Sequence, residues 1–253
     1  MSNIVIRPLT VLAVSLVLQV LAAYGGDYLR RRGKPLGGDE RSDFATLLPA
    51  ALTLLALIVG FTFSMAVGRY DQRKNYEEAE ANAIGTEYVR ADLLPAADAQ
   101  HVRAWLADYT RLRIRFYETR DERELGQINA RTAALQQQLW SAAAVPAVAQ
   151  PTPVAALVAA GMNDVLNSQG YTQAAWWNRI PLGAWLMLGA VGAFCNLLFG
   201  YSERRGVGAR LLTLPIILTI PLVLIADIDT PRYGIIHVLP QNLIALSQSL
   251  GPH

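Results

Sequence analysis

Two carboxylates stand at the end of the last hydrophobic segment of the sequence, at Asp227 and Asp229. A carboxylate beside lipid is costly unless it is paired or bound to an ion, so one hypothesis is an ion-binding or gating element that includes Arg232 or His237. The alternative is an interfacial stop to the helix, in which Asp229 pairs locally with Arg232. The spacing of these residues leaves both interpretations open.

A second candidate is the apolar face formed by Leu57, Phe61 and Met65, which follow one another at the spacing of a helical turn. If several copies of this helix faced one axis, these side chains would form hydrophobic rings that gate a pore by dewetting. Thr62 and Ser64 would then be candidates for polar pore contacts. Alternatively, the apolar side chains face lipid or neighbouring helices, and the hydroxyls bond to their own backbone.

Charged residues follow this face directly, at Arg69, Asp71 and Arg73. In the pore hypothesis they would form a charged mouth. Charged and aromatic side chains are also common as anchors at the level of the lipid headgroups, where Tyr70 would join them. As such anchors they would need no role in conduction.

The sequence gives no indication of other chemistry. It contains one cysteine and three widely separated histidines, so no motif predicts a disulfide, a metal site or a cofactor. No nucleophile is paired with a histidine or a carboxylate in a catalytic motif, so we expect no catalytic residues and no enzyme activity. A net charge of +2 does not suggest a nucleic-acid partner.

The candidate residues lie in or beside hydrophobic segments of the sequence. Overall, 53% of the residues are hydrophobic and only 17% are charged. Residues 8–26, 44–68, 180–202 and 211–226 contain no Asp, Glu, Lys or Arg. Since about 20 apolar helical residues cross a bilayer, we predict an all-α polytopic membrane protein with four transmembrane helices. These segments exclude a porin-type barrel and argue against a soluble enzyme. The first is longer than the hydrophobic part of a signal peptide, so we expect it to be retained.

The domain organisation follows from these segments. Residues 1–68 and 180–228 hold the two pairs of membrane helices, and residues 69–179 are predicted to form an inserted helical extramembrane domain. A continuous second helix from Phe44 to Leu94 would be ~75 Å long and would project well beyond a hydrocarbon layer of about 30 Å. Residues 229–253 are predicted to form a tail with a short amphipathic helix.

Local signals predict where helices end. Gly25 and Gly26 are expected to end the first helix, which leaves a polar loop over residues 27–43. Residues 141–153, which contain Pro146, Pro151 and Pro153, are expected to form a linker or helix break, and Trp176 is expected in the headgroup layer. Arg113 is predicted on a polar face of an amphipathic helix that buries residues such as Leu106 and Tyr109.

Small residues recur at four-residue spacing in the third hydrophobic segment. This spacing lets membrane helices approach closely, so we predict a packing face that contributes to oligomerisation. Its members are Gly189, Gly192, Ala193, Asn196 and Gly200.

Three further stretches support a resemblance to a family. They are residues 60–71 with the run Gly60, Phe61, Thr62, Phe63, Ser64; residues 78–95; and the late segment with Asp227, Asp229, Pro231, Gly234 and Val238. In these motifs the sequence resembles the bacterial bestrophin-like domain family of unknown function, over roughly residues 44–246.

The resemblance implies four membrane helices, an inserted helical domain, and a pentamer whose second helices line an anion pore in the bacterial inner membrane. It places Phe61 in a hydrophobic neck, and Asp227 and Asp229 where calcium-regulated bestrophins have acidic ligands. The sequence lacks a long acidic run there, so calcium binding is not expected. Bestrophins place the helical domain in the cytoplasm, whereas the distribution of Lys and Arg weakly favours the opposite side.

The leading hypothesis is therefore a homo-oligomeric ion channel that contacts membrane lipid and conducts inorganic ions, with anions favoured. The alternative is a non-conducting membrane scaffold or sensor whose helical domain binds a partner.

Overall fold

The computed structural model describes residues 7–33, 37–202 and 209–250. The structure is 88% helical and the described residues contain no strand, which confirms the predicted all-α fold. The described residues form the α-helices α1 (Pro8–Arg32), α2 (Gly38–Arg90), α3 (Ala96–Glu118), α4 (Glu122–Ala149), α5 (Pro153–Trp177), α6 (Leu182–Ser202), α7 (Thr213–Asp229) and α8 (Gln241–Ser249).

Four helical stretches are long and apolar enough to cross a membrane, as the sequence predicts. They lie within Pro8–Arg32, Ser42–Leu93, Pro153–Ser202 and Arg210–Asp229. In the two longest, the charge-free parts are residues 44–68 and 180–202. We take these parts as the membrane-spanning segments of α2 and α6.

The chain divides into two compact units. The membrane unit comprises Met1–Arg69 and Arg179–His237, and the helical unit comprises Tyr70–Asn178 and Val238–His253. Helix α2 contributes its first part to the membrane unit and its second part to the helical unit. Helix α2 is a single α-helix of 53 residues.

Helices α1 and α6 run parallel in direct backbone contact. A Cβ atom added at Gly26 would lie 2.1 Å from the carbonyl oxygen of Leu197, and one added at Gly200 would lie 1.9 Å from that of Ala23. Neither position has room for a side chain, so only glycine permits this approach. The prediction that small residues of this segment join subunits is therefore corrected at Gly200, which contacts α1 of its own chain.

A buried set of polar side chains joins three membrane helices. The side-chain amide of Gln19 on α1 donates to the hydroxyl of Thr219 on α7 at 3.2 Å and accepts from Asn196 on α6 at 3.0 Å. All three residues are at most 3% exposed. Because unpaired polar groups are costly in lipid, these bonds select one arrangement of the three helices.

The predicted end of α1 is wrong, whereas the predicted break within residues 141–153 is present but shorter, over residues 150–152. Helix α1 continues past Gly25 and Gly26 to Arg32, because Gly26 packs on α6 and Asp27 pairs with Arg30 and Arg31 in the next turn. Residues 34–36 of the predicted loop lie outside the described residues. Helix α4 continues through Pro146 to Ala149.

The core of the helical unit combines α3, α4 and α5 with one side of α2. Leu106, Tyr109 and Phe116 are fully buried in it. Trp176 is only 4% exposed and lies 4.9 Å from Phe116 between ring centroids, so it belongs to this core and not to a headgroup layer as predicted.

An ion pair lies inside this core. Arg113 donates to the carboxylate of Glu80, which also accepts a hydrogen bond from Thr172 at 3.1 Å, and both charged side chains are fully buried. Burial lowers the pKa of Arg113, but the Glu80 carboxylate, with smaller contributions from Tyr109 and Tyr117, raises it further, so the pKa lies above its ordinary value. The prediction that Arg113 faces outward is wrong, because it lies four residues after Tyr109 and three before Phe116, on the buried stripe.

We expect Gly26→Ala to lower the free energy of unfolding by about 1–3 kcal/mol, because its methyl group forces α1 away from α6. The matched control is Gly25→Ala, where an added Cβ meets nothing within 4 Å. That change should stabilise the helix by up to about 1 kcal/mol. Thermal unfolding of both variants in detergent measures the difference. Equal behaviour would show that the backbone contact does not limit stability.

We expect Arg113→Met to destabilise the full-length protein by about 3–5 kcal/mol, because it leaves Glu80 as a buried, unpaired charge. Arg111→Met, on the exposed side of the same helix, should change stability by less than about 0.5 kcal/mol. The double variant Glu80→Gln with Arg113→Met should recover part of the loss. Denaturant unfolding checks this, and a loss that persists undiminished in the double variant would contradict it.

Candidate functional site

Three of the predicted pore residues lie on one open side of α2. Leu57, Phe61 and Met65 are 54%, 67% and 48% exposed in the single chain. Their four-residue spacing places them on the same side of the helix. Gly60 and Gly68 also have open surroundings, since a Cβ added at either would meet nothing within 4 Å. This side therefore offers both large apolar side chains and bare backbone.

The opposite side of α2 packs within the membrane unit. Leu55 is 2% exposed and clusters with Leu188 of α6 and Leu222 of α7. Even so, only 6% of the most apolar part of α2 is buried, against 44% for α7. Helix α2 is thus far less covered by its own chain than α7.

Thr62 lies apart from the other three predicted pore residues. It is 6% exposed, and its hydroxyl donates to the carbonyl oxygen of Ile58 at 2.8 Å. This bond to the preceding turn satisfies the hydroxyl within the helix.

The three predicted mouth residues have different surroundings. In the membrane unit, Arg69 lies 3.4 Å from a carboxylate oxygen of Asp229. In the helical unit, Asp71 is exposed and Arg73 is buried to 1% exposure. The structure therefore does not present the three charges as one exposed ring.

Asp229 connects three helices at one end of the membrane unit. Its two carboxylate oxygens accept from the backbone N–H of Ile180, just before α6, at 3.2 and 3.1 Å. The same carboxylate contacts Arg69 at the end of the apolar part of α2. Since Asp229 itself ends α7, one side chain joins the end of α7 to the start of α6 and to the end of the apolar part of α2.

Asp227 stabilises the turn that follows α7 through two hydrogen bonds. One carboxylate oxygen accepts from the N–H of Ile235 and the other from the N–H of Ile236, both at 2.7 Å. Gly234 belongs to the same turn, and an added Cβ there would lie 2.2 Å from the carbonyl oxygen of Asp227. The carboxylate thus stabilises a tight return of the chain.

The described residues contain no group of three or more His, Cys, Asp or Glu side chains arranged to hold a metal ion. Both candidate carboxylates instead accept hydrogen bonds from N–H donors. His237, named with them in the sequence hypothesis, has its Nδ1 atom 3.1 Å from the carbonyl oxygen of Ile235. The geometry is that of a structural junction beside the end of the apolar part of α2.

We expect Asp227→Asn to lower the free energy of unfolding by about 1–3 kcal/mol, because an amide offers one acceptor where the carboxylate satisfies two N–H donors. Asp71→Asn, at an exposed position, is the matched control and should have little effect. Thermal unfolding with and without added calcium chloride distinguishes a role of the Asp227 carboxylate in stabilising the turn from a role in binding an ion. A calcium-dependent rise in melting temperature that disappears in Asp227→Asn would favour the ion-binding hypothesis instead.

No family profile and no characterised protein matches the sequence. Solved structures do. A bacterial bestrophin homologue from Klebsiella pneumoniae aligns with a TM-score of 0.61 at 14% identity, covering 96% of each chain. Two point variants of that homologue align with TM-scores of 0.64 at 13% identity, over 95% and 99% of this chain and 96% of theirs. The chain therefore has the fold of bacterial bestrophin homologues, which confirms at the level of fold the resemblance drawn from its motifs.

Proposed function

We propose that the protein is a homo-oligomeric ion channel of the bacterial inner membrane, whose pore is lined by α2. The observation that carries this proposal is the open side of α2, where Leu57, Phe61 and Met65 are about half exposed or more. The fold shared with bestrophin homologues supports it, because the resemblance in sequence implies a pore formed by the second membrane helices.

A pore explains this side of α2 better than contact with lipid alone. Lipid needs only an apolar surface, whereas this side of α2 also has bare backbone at Gly68, two turns beyond Phe61, and at its edge at Gly60. Such positions let a second copy of the helix approach closely. Five copies, as the resemblance implies, would bring the Phe61 side chains together as an apolar constriction, where an ion must lose its water.

The proposal also concerns which ions the channel conducts. The resemblance to the bestrophin-like family favours anions. The exposed carboxylates of Asp71 and Glu78, further along α2, would instead attract cations. Reversal potentials measured under a salt gradient separate the two, and neutralising both carboxylates should shift the potential toward anions if they act on the conduction path.

Asp229 is the proposed gating element. It joins α7 and the start of α6 to Arg69, at the end of the apolar part of α2. A movement of α6 or α7 at this end would therefore act directly on the helix that lines the pore. In this role the carboxylate works through its hydrogen bonds and does not bind the conducted ion.

A non-conducting scaffold is the second candidate. The helical unit exposes large apolar side chains on α4 and at the start of α5, including Val145 at 67% and Val148 at 82% exposure. Such a surface suits a protein partner, because exposed apolar patches mark interaction sites. A scaffold of this kind predicts no ion flux from the purified protein.

We expect Phe61→Ala to raise ion flux several-fold in liposomes that contain only the purified protein, because a smaller side chain widens and wets the constriction. Phe63→Ala is the matched control. Phe63 is also exposed, at 37%, but lies two residues further along and so faces another side of α2.

Thermal unfolding of both variants accompanies the flux assay. If Phe61 packs against neighbouring helices, its removal leaves a cavity and lowers stability by a few kcal/mol at most, without added flux. That outcome would remove Phe61 from the pore. Absence of flux from the wild-type protein under all salt gradients would favour the scaffold.

A further inference from the structure

Glu87 is a buried carboxylate without hydrogen bonds. It lies on the part of α2 that belongs to the helical unit and is fully buried. Neither of its oxygens has a hydrogen-bond partner in the described chain. The nearest cation is Arg90 on the next turn, with its Nη1 atom 4.0 Å from Glu87 Oε2, which is beyond hydrogen-bond distance. Buried unsatisfied groups are rare in native proteins and call for an explanation.

The two other buried glutamates on this part of α2 are satisfied. Glu77 accepts from the backbone N–H of Leu243 at 2.9 Å and from the side chain of Asn242 at 2.6 Å. Glu80 is paired with Arg113. Glu87 lies seven residues after Glu80, on the same buried stripe, but it has no such partners. Its environment therefore does not stabilise the charged form in the way that theirs does.

Glu87 packs against α5 at Gly161, where the absence of a side chain leaves room for its carboxylate. A Cβ atom added at Gly161 would lie 2.0 Å from Glu87 Oε2 and 2.3 Å from Arg90 Nη1. The two side chains thus lie directly on the backbone of α5. Any change in the charge or hydration of Glu87 acts at the contact between α2 and α5.

Burial raises the pKa of Glu87 to about 7, against a smaller lowering by Arg90 and with a further rise from Asp164 on α5. Asp92, after α2, and Arg103 on α3 are paired with each other. His101 on α3 is exposed and stacks on Trp105. The carboxyl is therefore neutral under mildly acidic conditions and ionised under alkaline ones.

We propose that Glu87 is a proton-binding site through which pH controls the packing of α5 against α2 in the helical unit. Below the titration range the neutral carboxyl fits the dry contact. Above it, the carboxylate needs water or a closer Arg90, and either change loosens the contact with Gly161.

The sign of the effect follows from the direction of the shift. The folded protein holds this proton up to a higher pH than the unfolded chain does. The stabilisation is therefore complete below the ordinary pKa of a glutamate, near 4.5, and is lost as pH rises through about 7. Within this window the opening constant of the contact should rise by nearly tenfold per pH unit, for one proton released.

Hydrogen–deuterium exchange of the full-length protein in detergent between pH 5 and 8 tests the proposal. At each pH, the opening constant of α5 in the wild type is divided by that in Glu87→Gln. The intrinsic pH dependence of exchange and the contribution of His101 are the same in both proteins and cancel in this ratio. We expect this ratio to rise by up to about tenfold per pH unit between pH 5 and 7 and then to level off. Glu78→Gln, at an exposed position on the same helix, should behave as the wild type.

Infrared titration of the wild-type protein gives a second measurement that does not depend on the folding of the variant. A protonated-carboxyl C=O band present at pH 5 and lost through about pH 7 supports the proposal. The absence of that band at pH 5, or an α5 ratio that stays constant with pH, would overturn it.

Discussion

The direct contact between the backbones of α1 and α6 is the constraint on which the membrane unit depends. Lipid tails are as apolar as the side chains they replace, so burial alone does not hold membrane helices together. Close approach at Gly26 and Gly200 supplies dispersion contacts, and the bonded set of Gln19, Asn196 and Thr219 adds the geometry. With α7 fixed in this way, Asp229 reaches the start of α6 and the end of the apolar part of α2.

The helical unit is held together by different forces. Its core is apolar and aromatic, as in a water-soluble bundle, and it also buries charged side chains along α2 and α3. Glu77 orders the start of α8, and Glu80 joins α2 to α3 and α5. Such buried pairs contribute little net stability, but they make one register of the helices much better than its alternatives.

The sequence was sufficient for the features that depend on local pattern. Charge-free segments of membrane-spanning length, the unbroken α2 and the apolar stripe through Tyr109 could all be predicted. The prediction for Arg113 is wrong because a charged side chain suggests an exposed position, whereas its spacing from Tyr109 and Phe116 places it on that stripe. The partners of Asp229 could not be predicted, since Arg69 lies 160 residues away and Ile180 contributes only a backbone N–H. The exposure of Phe61 depends on how α2 packs in the membrane unit, which the local pattern alone does not specify.

The parallel pairing of α1 with α6 has a consequence for synthesis of the protein. Gln19 and Asn196 are 177 residues apart. A ribosome that adds 5–20 residues per second needs on the order of 10–30 s to reach Asn196 after Gln19. Until then the side-chain amide of Gln19 and the bare backbone at Gly26 lack their final partners on α6. Insertion of α1 and its association with α6 are therefore separate events in the synthesis of the chain.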